Sequence, residues 1–164
     1  MQTKLRWKRN LFSSSTIIYS NGQRVGELKD KTFSQTAIGV LNGKKYSFKT
    51  KGFFKQETEI IDSFENKVVG EITYNNWKTN AIISIDNKKI NWKYDNLWNT
   101  KWSIFNSEGI KIQYSGTSTS GQIDSNIDEA VLLLSGLFVT NYYWQMTAAV
   151  LVAVFVPIWT TVLS

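Results

Sequence analysis

The chain has 164 residues, enough for one domain with a full hydrophobic core and one appended element, but not for two ordinary domains. Cysteine and histidine are both absent, which excludes thiolate nucleophiles, disulfide staples, imidazole bases and the usual zinc and haem ligands. Nineteen Lys and Arg against thirteen Asp and Glu leave a formal charge of +6, a balance drawn to a membrane leaflet, nucleic acid or an acidic protein, or one that simply keeps a β protein soluble.

In chain order, the first segment, MQTKLRWKRNLFSSSTIIYS, starts basic, but Ser13, Ser14 and Ser15 break its apolar part, so it does not read as a signal peptide. Without disulfides, an intracellular chain is the default expectation. Between Leu5 and Ile123 the apolar residues recur with period two. Tyr46 and Phe48 oppose Lys45, Ser47 and Lys49; Ile90, Trp92 and Tyr94 oppose Lys89, Asn91 and Lys93; Ile110, Ile112 and Tyr114 oppose Lys111 and Gln113. Such alternation marks half-buried antiparallel strands.

Turn residues punctuate the runs at Asn21-Gly22, Asn42-Gly43, Glu65-Asn66, Asp86-Asn87 and Glu108-Gly109, with looser breaks near Gly52, Asn75-Asn76 and Asn96. Breaks about every ten residues are the beat of a sandwich or barrel of about twelve strands. NGQRVGELK, ENKVVGEITY and NSEGIKIQY resemble one another, which we read as repeated hairpin chemistry rather than a solenoid.

The chain then changes character, for no residue from Ala130 to Ser164 carries a charge. Ser125 or Asn126 can cap a helix whose first turn would hold Asp128 and Glu129, where the macrodipole favours negative charge. One helix over all 35 neutral residues would reach roughly 52 Å, beyond a hydrocarbon core of about 30 Å. The polar and aromatic stretch Thr140 to Gln145 therefore predicts a break. A first helix, residues 127–145, fits a barrel lumen. A second, residues 146–164, would be roughly 28 Å long and could span a bilayer with a kink at Pro157.

The strands from Leu5 to Ile123, the RVGELK and VVGEI repeats and the run IDEAVLLLSGLFVTNYYW together resemble the tubby C-terminal, LURP-one and phospholipid scramblase superfamily. The resemblance implies a barrel around a hydrophobic C-terminal helix and an association with phospholipid binding or movement. It implies no catalytic motif. The expected fold is thus mainly β: a barrel over residues 1–145 with a central helix, followed by an apolar helix over 146–164.

Two clusters are candidates for contact with a partner. Lys49, Lys51 and Lys55 surround Phe53 and Phe54, a combination suited to dipping aromatics into a membrane while ammonium groups meet lipid phosphates, or to an ordinary hairpin end. Tyr142, Tyr143 and Trp144 would form an aromatic belt at the membrane interface. Trp77, Trp92, Trp98 and Trp102, interleaved with Lys78, Lys88, Lys89, Lys93 and Lys101, could stack nucleic-acid bases or sugars, but the alternation favours Trp inside the barrel and Lys in water. Nucleic acid is therefore not the expected partner.

Asp124, Asp128 and Glu129 are explained by the helix start, and no phosphate loop, nucleophile elbow or calcium loop is present, so no enzyme, metal or cofactor is expected. The expectation is a membrane-bound barrel that contacts phospholipid from the cytoplasmic side. The alternative is a soluble adaptor for protein or nucleic acid, with the tail buried internally or in a homo-oligomer.

Overall fold

A computed structural model describes residues 2–10, 12–31, 35–52 and 56–162, with side chains through Phe155. Twelve antiparallel strands follow one another around a closed barrel: β1 Thr3–Asn10, β2 Ser15–Ser20, β3 Gln23–Asp30, β4 Thr36–Leu41, β5 Lys44–Lys51, β6 Glu57–Asp62, β7 Lys67–Tyr74, β8 Asn80–Ile85, β9 Lys88–Tyr94, β10 Lys101–Phe105, β11 Lys111–Gly116 and β12 Ser120–Ser125. β12 pairs with β1 and closes the ring, which leaves no edge strand among the described residues.

The expected turns are present with the backbone their residues favour. Asn21-Gly22 and Asn42-Gly43 both have positive φ at each position (49° and 80°; 50° and 78°), and so does Asp86-Asn87 (50° and 62°). That geometry matches the right-handed twist of paired strands, and Asn, Asp and Gly tolerate it best.

The strand sequences hold more symmetry than hairpin chemistry alone requires. KLRWK, KYSFK and KINWK begin at Lys4, Lys45 and Lys89, and their aromatic residues Trp7, Phe48 and Trp92 pair with Ile18, Ile60 and Ile104 on the next strand. On the other side, each aromatic residue faces a small one: Gly121, Ala37 and Ala81. Further along, Leu28, Ile72 and Tyr114 pair with Gly39, Ile83 and Ile123.

The barrel is therefore built from three similar four-strand units, and the weak similarity among the VGE-type segments is a trace of them. Large residues opposite small ones keep the lumen evenly filled.

One helix, α1, runs from Ala130 to Val162. Its first half lies in the lumen. Leu132 to Val139 are all buried, and their partners come from around the ring: Tyr114 of β11 donates to the Leu133 carbonyl (3.0 Å), Trp92 of β9 donates to the Gly136 carbonyl (3.2 Å), and Phe48 of β5 stacks on Phe138 (4.6 Å).

The structure corrects the expected helix boundaries in two respects. The helix starts at Ala130 rather than near residue 127, because Ser125 uses its hydroxyl on both backbone groups of Ile127 and the Glu129 carbonyl takes the first helical bond, from Leu133 (3.0 Å). Asp128 and Glu129 thus precede the first turn.

Nor does the helix break between residues 140 and 145, so among the described residues there is no separate second helix. The hydroxyls of Thr140 and Thr147 bond to the carbonyls four residues back, at 3.0 and 2.9 Å, instead of competing with the ladder.

Candidate functional site

Because the strands alternate in direction, the loops fall at two ends of the barrel. α1 begins at one end, the base, and leaves through the other, the mouth, which is ringed by the loops after β1, β3, β5, β7, β9 and β11. Within the expected breakpoint Thr140 to Gln145, the residues Asn141 to Gln145 form a collar there. Asn141 accepts from Arg9 (3.3 Å) and faces Thr16; Tyr142 donates to Gln56 and stacks on Tyr74 (4.2 Å); Tyr143 donates to the Asn80 carbonyl (2.5 Å). Trp144 meets Trp7, Trp102 and the Arg9 guanidinium (5.7 Å), and Gln145 donates to Asp30 (2.8 Å). Five consecutive helical residues at about 100° each sweep more than a full turn, so they engage every side of a surrounding wall.

Burial dominates the electrostatics of the collar. It raises the Asp30 carboxyl above its ordinary 3.8 although Arg9 and Gln145 pull it down, and it lowers the Arg9 guanidinium although Asp30 pulls it up. The Tyr94 hydroxyl beneath Trp144 is pushed up to about 12 by burial, with the hydrogen bond to Trp144 opposing.

Beyond the collar the helix loses its protein surroundings. Every residue from Thr147 to Phe155 is exposed, including Val150 (50%), Val152 (62%) and Phe155 (53%). By length and composition α1 is apolar enough to cross a membrane.

The mouth also carries exposed apolar side chains on its loops. Phe12 stands on the β1–β2 loop, Trp77 on β7–β8, and Leu97 and Trp98 on β9–β10; Trp77 and Trp98 are each 85% exposed. Trp92 and Trp102 are buried as the alternation requires. Trp77 and Trp98 depart from the expected interior placement because they sit in loops, where strand periodicity has no hold.

Those two loops share one build. In each, an Asn side chain (Asn75, Asn96) accepts from two backbone N–H groups, of Thr79 and Asn80 or of Thr100 and Lys101, at 3.0 and 3.1 Å, and donates to the Thr hydroxyl. A left-handed residue, Lys78 or Asn99, follows the Trp (φ 55° and 54°). The sequence signal is the repeated Asn-x-Trp-x-Thr, which sequence reasoning missed by treating both stretches as loose polar breaks.

Charge is unevenly divided between the ends. Among the described residues, the mouth loops and the outer three residues of each strand hold nine basic groups (Lys8, Arg9, Lys29, Lys31, Lys49, Lys51, Lys78, Lys93, Lys101) against four acidic ones. The base, counted likewise, holds eight against seven. The surplus of positive charge thus lies at the end from which the uncharged helix projects.

Of the predicted contact residues, Lys49 and Lys51 point outward from β5 near the mouth, with Lys51 paired to Glu59 (2.7 Å). Phe53, Phe54 and Lys55 lie outside the described residues. Tyr142, Tyr143 and Trp144 are brought together at the mouth, but as collar residues engaged with the wall, with Tyr143 itself buried.

A groove beside the emerging helix is lined by Trp77, Lys78, Asn99, Tyr143, Trp144 and Leu151, so one residue pair of the β7–β8 loop, Asn99 of the β9–β10 loop and the helix border one concave surface. Comparison of the chain with protein-family models, with curated proteins and with solved structures finds no match.

Proposed function

We propose that the protein is a non-enzymatic, membrane-anchored barrel that binds and positions itself at an anionic phospholipid surface on the cytoplasmic side. The observation that carries this reading is the change along one helix: Leu132 to Val139 are buried on all sides, Thr147 to Phe155 are exposed on all sides, and both parts are apolar. A helix apolar all round needs protein or lipid around it. In its first half the barrel supplies that surrounding.

From Met146 to Val162 the helix runs for about 26 Å, close to the roughly 30 Å of a hydrocarbon core. The basic mouth favours the anionic leaflet and, by the tendency of positive charge to stay inside, the cytoplasmic face. The architecture of a barrel threaded by an apolar helix is also the one implied by the resemblance to the tubby, LURP-one and scramblase superfamily, and it supports a binding role of that kind.

Alkaline carbonate extraction tests the anchor. The full chain is expected in the membrane pellet, and deletion of Met146 to Ser164, which keeps the collar, is expected to release a folded barrel. A full-length chain that stays monodisperse in buffer without detergent would overturn the proposal in favour of a soluble module.

A further inference from the structure

The two loops of common build raise a separate question, because solvent-exposed Trp is an unfavourable thing to hold rigidly. Trp buries a large apolar area when it finds a partner, and single exposed Trp side chains on mobile tips are easily tolerated. Here the backbone is fixed instead: in each loop one Asn side chain accepts two backbone hydrogen bonds and donates a third, and each loop places a left-handed residue on the turn that presents the ring. The loops connect β7 to β8 and β9 to β10, so only the β8–β9 hairpin separates them, about 10 Å around the mouth. Phe12, on the β1–β2 loop, stands across the mouth from Trp77 and gives a third apolar point.

We infer that Trp77, Leu97 and Trp98 form an interfacial anchor that seats the barrel mouth-down on an anionic leaflet, the rings lying among the headgroups while Lys78 and Lys101 meet lipid phosphates. The inference rests on the membrane-anchored reading and adds to it a second, independent contact. Three observations favour lipid over a protein partner. Trp77 and Lys78 of one loop and Asn99 of the other border the same groove as the helix residues Tyr143, Trp144 and Leu151, so a membrane that takes up the helix reaches both loops. Their composition, Trp with interspersed Lys, is that of an interfacial segment. The surplus positive charge of the barrel lies at this end and not at the base.

With a helix alone, the barrel would follow every tilt of the helix fixed in its lumen; with loops on the rim touching the headgroups, the common axis is held near the membrane normal. The plugged lumen then faces the bilayer end-on, so the outer wall of the barrel remains open to the aqueous side.

The absence of cysteine makes the test direct, since any introduced cysteine is the single labelling site. The full chain carrying Trp77→Cys, Leu97→Cys or Trp98→Cys is labelled with an environment-sensitive nitrobenzoxadiazole dye and reconstituted in phosphatidylcholine–phosphatidylglycerol vesicles containing headgroup-level nitroxide lipid. Val150→Cys marks the helix, and Phe64→Cys, exposed at the base, marks water. The expected result is blue-shifted, quenched emission at 77, 97, 98 and 150, with 64 unshifted. In pure phosphatidylcholine, quenching at the three loop sites is expected to fall severalfold while that at 150 persists.

Water-like emission at 77, 97 and 98 with quenching at 150 would overturn the loop anchor and leave the membrane span standing. Water-like emission at 150 as well would overturn both. Loop quenching equal in the two lipid mixtures would remove the anionic headgroup from the inference.

Discussion

Replacing Gly136 by alanine tests whether the helix is inside the barrel, because the two possible surroundings predict opposite signs. In a helix surrounded by lipid or water, Gly→Ala is stabilising by about 1 kcal/mol through helix propensity. Within the lumen, a Cβ at Gly136 would stand 2.4 to 2.6 Å from Cζ and Cε2 of Tyr114, and closer still to its hydroxyl oxygen. The ring cannot easily yield: it is buried, lies parallel to Trp102 at 5.6 Å and donates to the Leu133 carbonyl at 3.0 Å.

Overpacking of this kind costs about 1 to 3 kcal/mol, and displacing the hydroxyl from its partner adds about 1 kcal/mol or more. After the propensity gain, the net loss is about 1 to 3 kcal/mol, or a fall in Tm of roughly 2 to 12 °C for a chain of this size. Circular-dichroism melting of the full chain in a mild detergent measures it. Combination with Tyr114→Leu should recover part of the loss, since the ring that meets the new methyl is gone. A rise in Tm for Gly136→Ala alone would refute the placement of Gly136 against Tyr114.

Three further outcomes follow from other parts of the structure. Burial raises the Asp30 carboxyl above 3.8, so the folded chain holds that proton more tightly than the unfolded one. The stability contributed by Asp30 is present below pH 3.8 and lost as pH rises through the folded pKa. Asp30→Asn should therefore melt above the parent at about pH 7, with the gap closing on acidification toward about pH 3; a gap independent of pH would refute the assignment. Asn96→Ala removes two backbone acceptor contacts and should cost about 1 to 2 kcal/mol locally, seen as roughly 5- to 30-fold faster amide exchange at Thr100 and Lys101 and unchanged exchange in β4. Gly26 and Gly70 stand next to equivalent bulges at Val25 and Val69 in two of the three units, where a Cβ would meet the Val40 carbonyl at 2.4 Å and the Ser84 carbonyl at 2.7 Å; Ala at either should cost about 1 to 3 kcal/mol, and a loss at one alone would argue against their equivalence.

Much of the wall was legible from local chemistry. Period-two alternation assigned Tyr46, Phe48, Ile90, Trp92, Tyr94, Ile110, Ile112 and Tyr114 to one face; Tyr94 and Ile110, at or beside strand ends, are half-buried and the others are buried, while Asn-Gly and Asp-Asn placed the hairpins. The threefold relation was harder to see, because the matched residues Trp7, Phe48 and Trp92 recur at unequal spacing and two of the three VGE-type segments differ by a bulge. Asn-x-Trp-x-Thr escaped notice for a different reason: loop composition says where a strand stops, while the exposure of Trp77 and Trp98 depends on a network that closes only when Asn75 and Asn96 fold over their own loops.

Alone, the sequence determined that the first part of the chain makes about twelve strands joined by tight turns, and that the last part is a helix with no polar face. Those features depend on side-chain order over a few residues. Only the tertiary structure decided that the helix passes Thr140 to Gln145 without a break, since the same polar and aromatic groups that would end an isolated helix find partners on Arg9, Gln56, Asn80 and Asp30. A polar residue interrupts an apolar helix only where its hydrogen bonds would otherwise go unmade, and here strands distant in sequence make them.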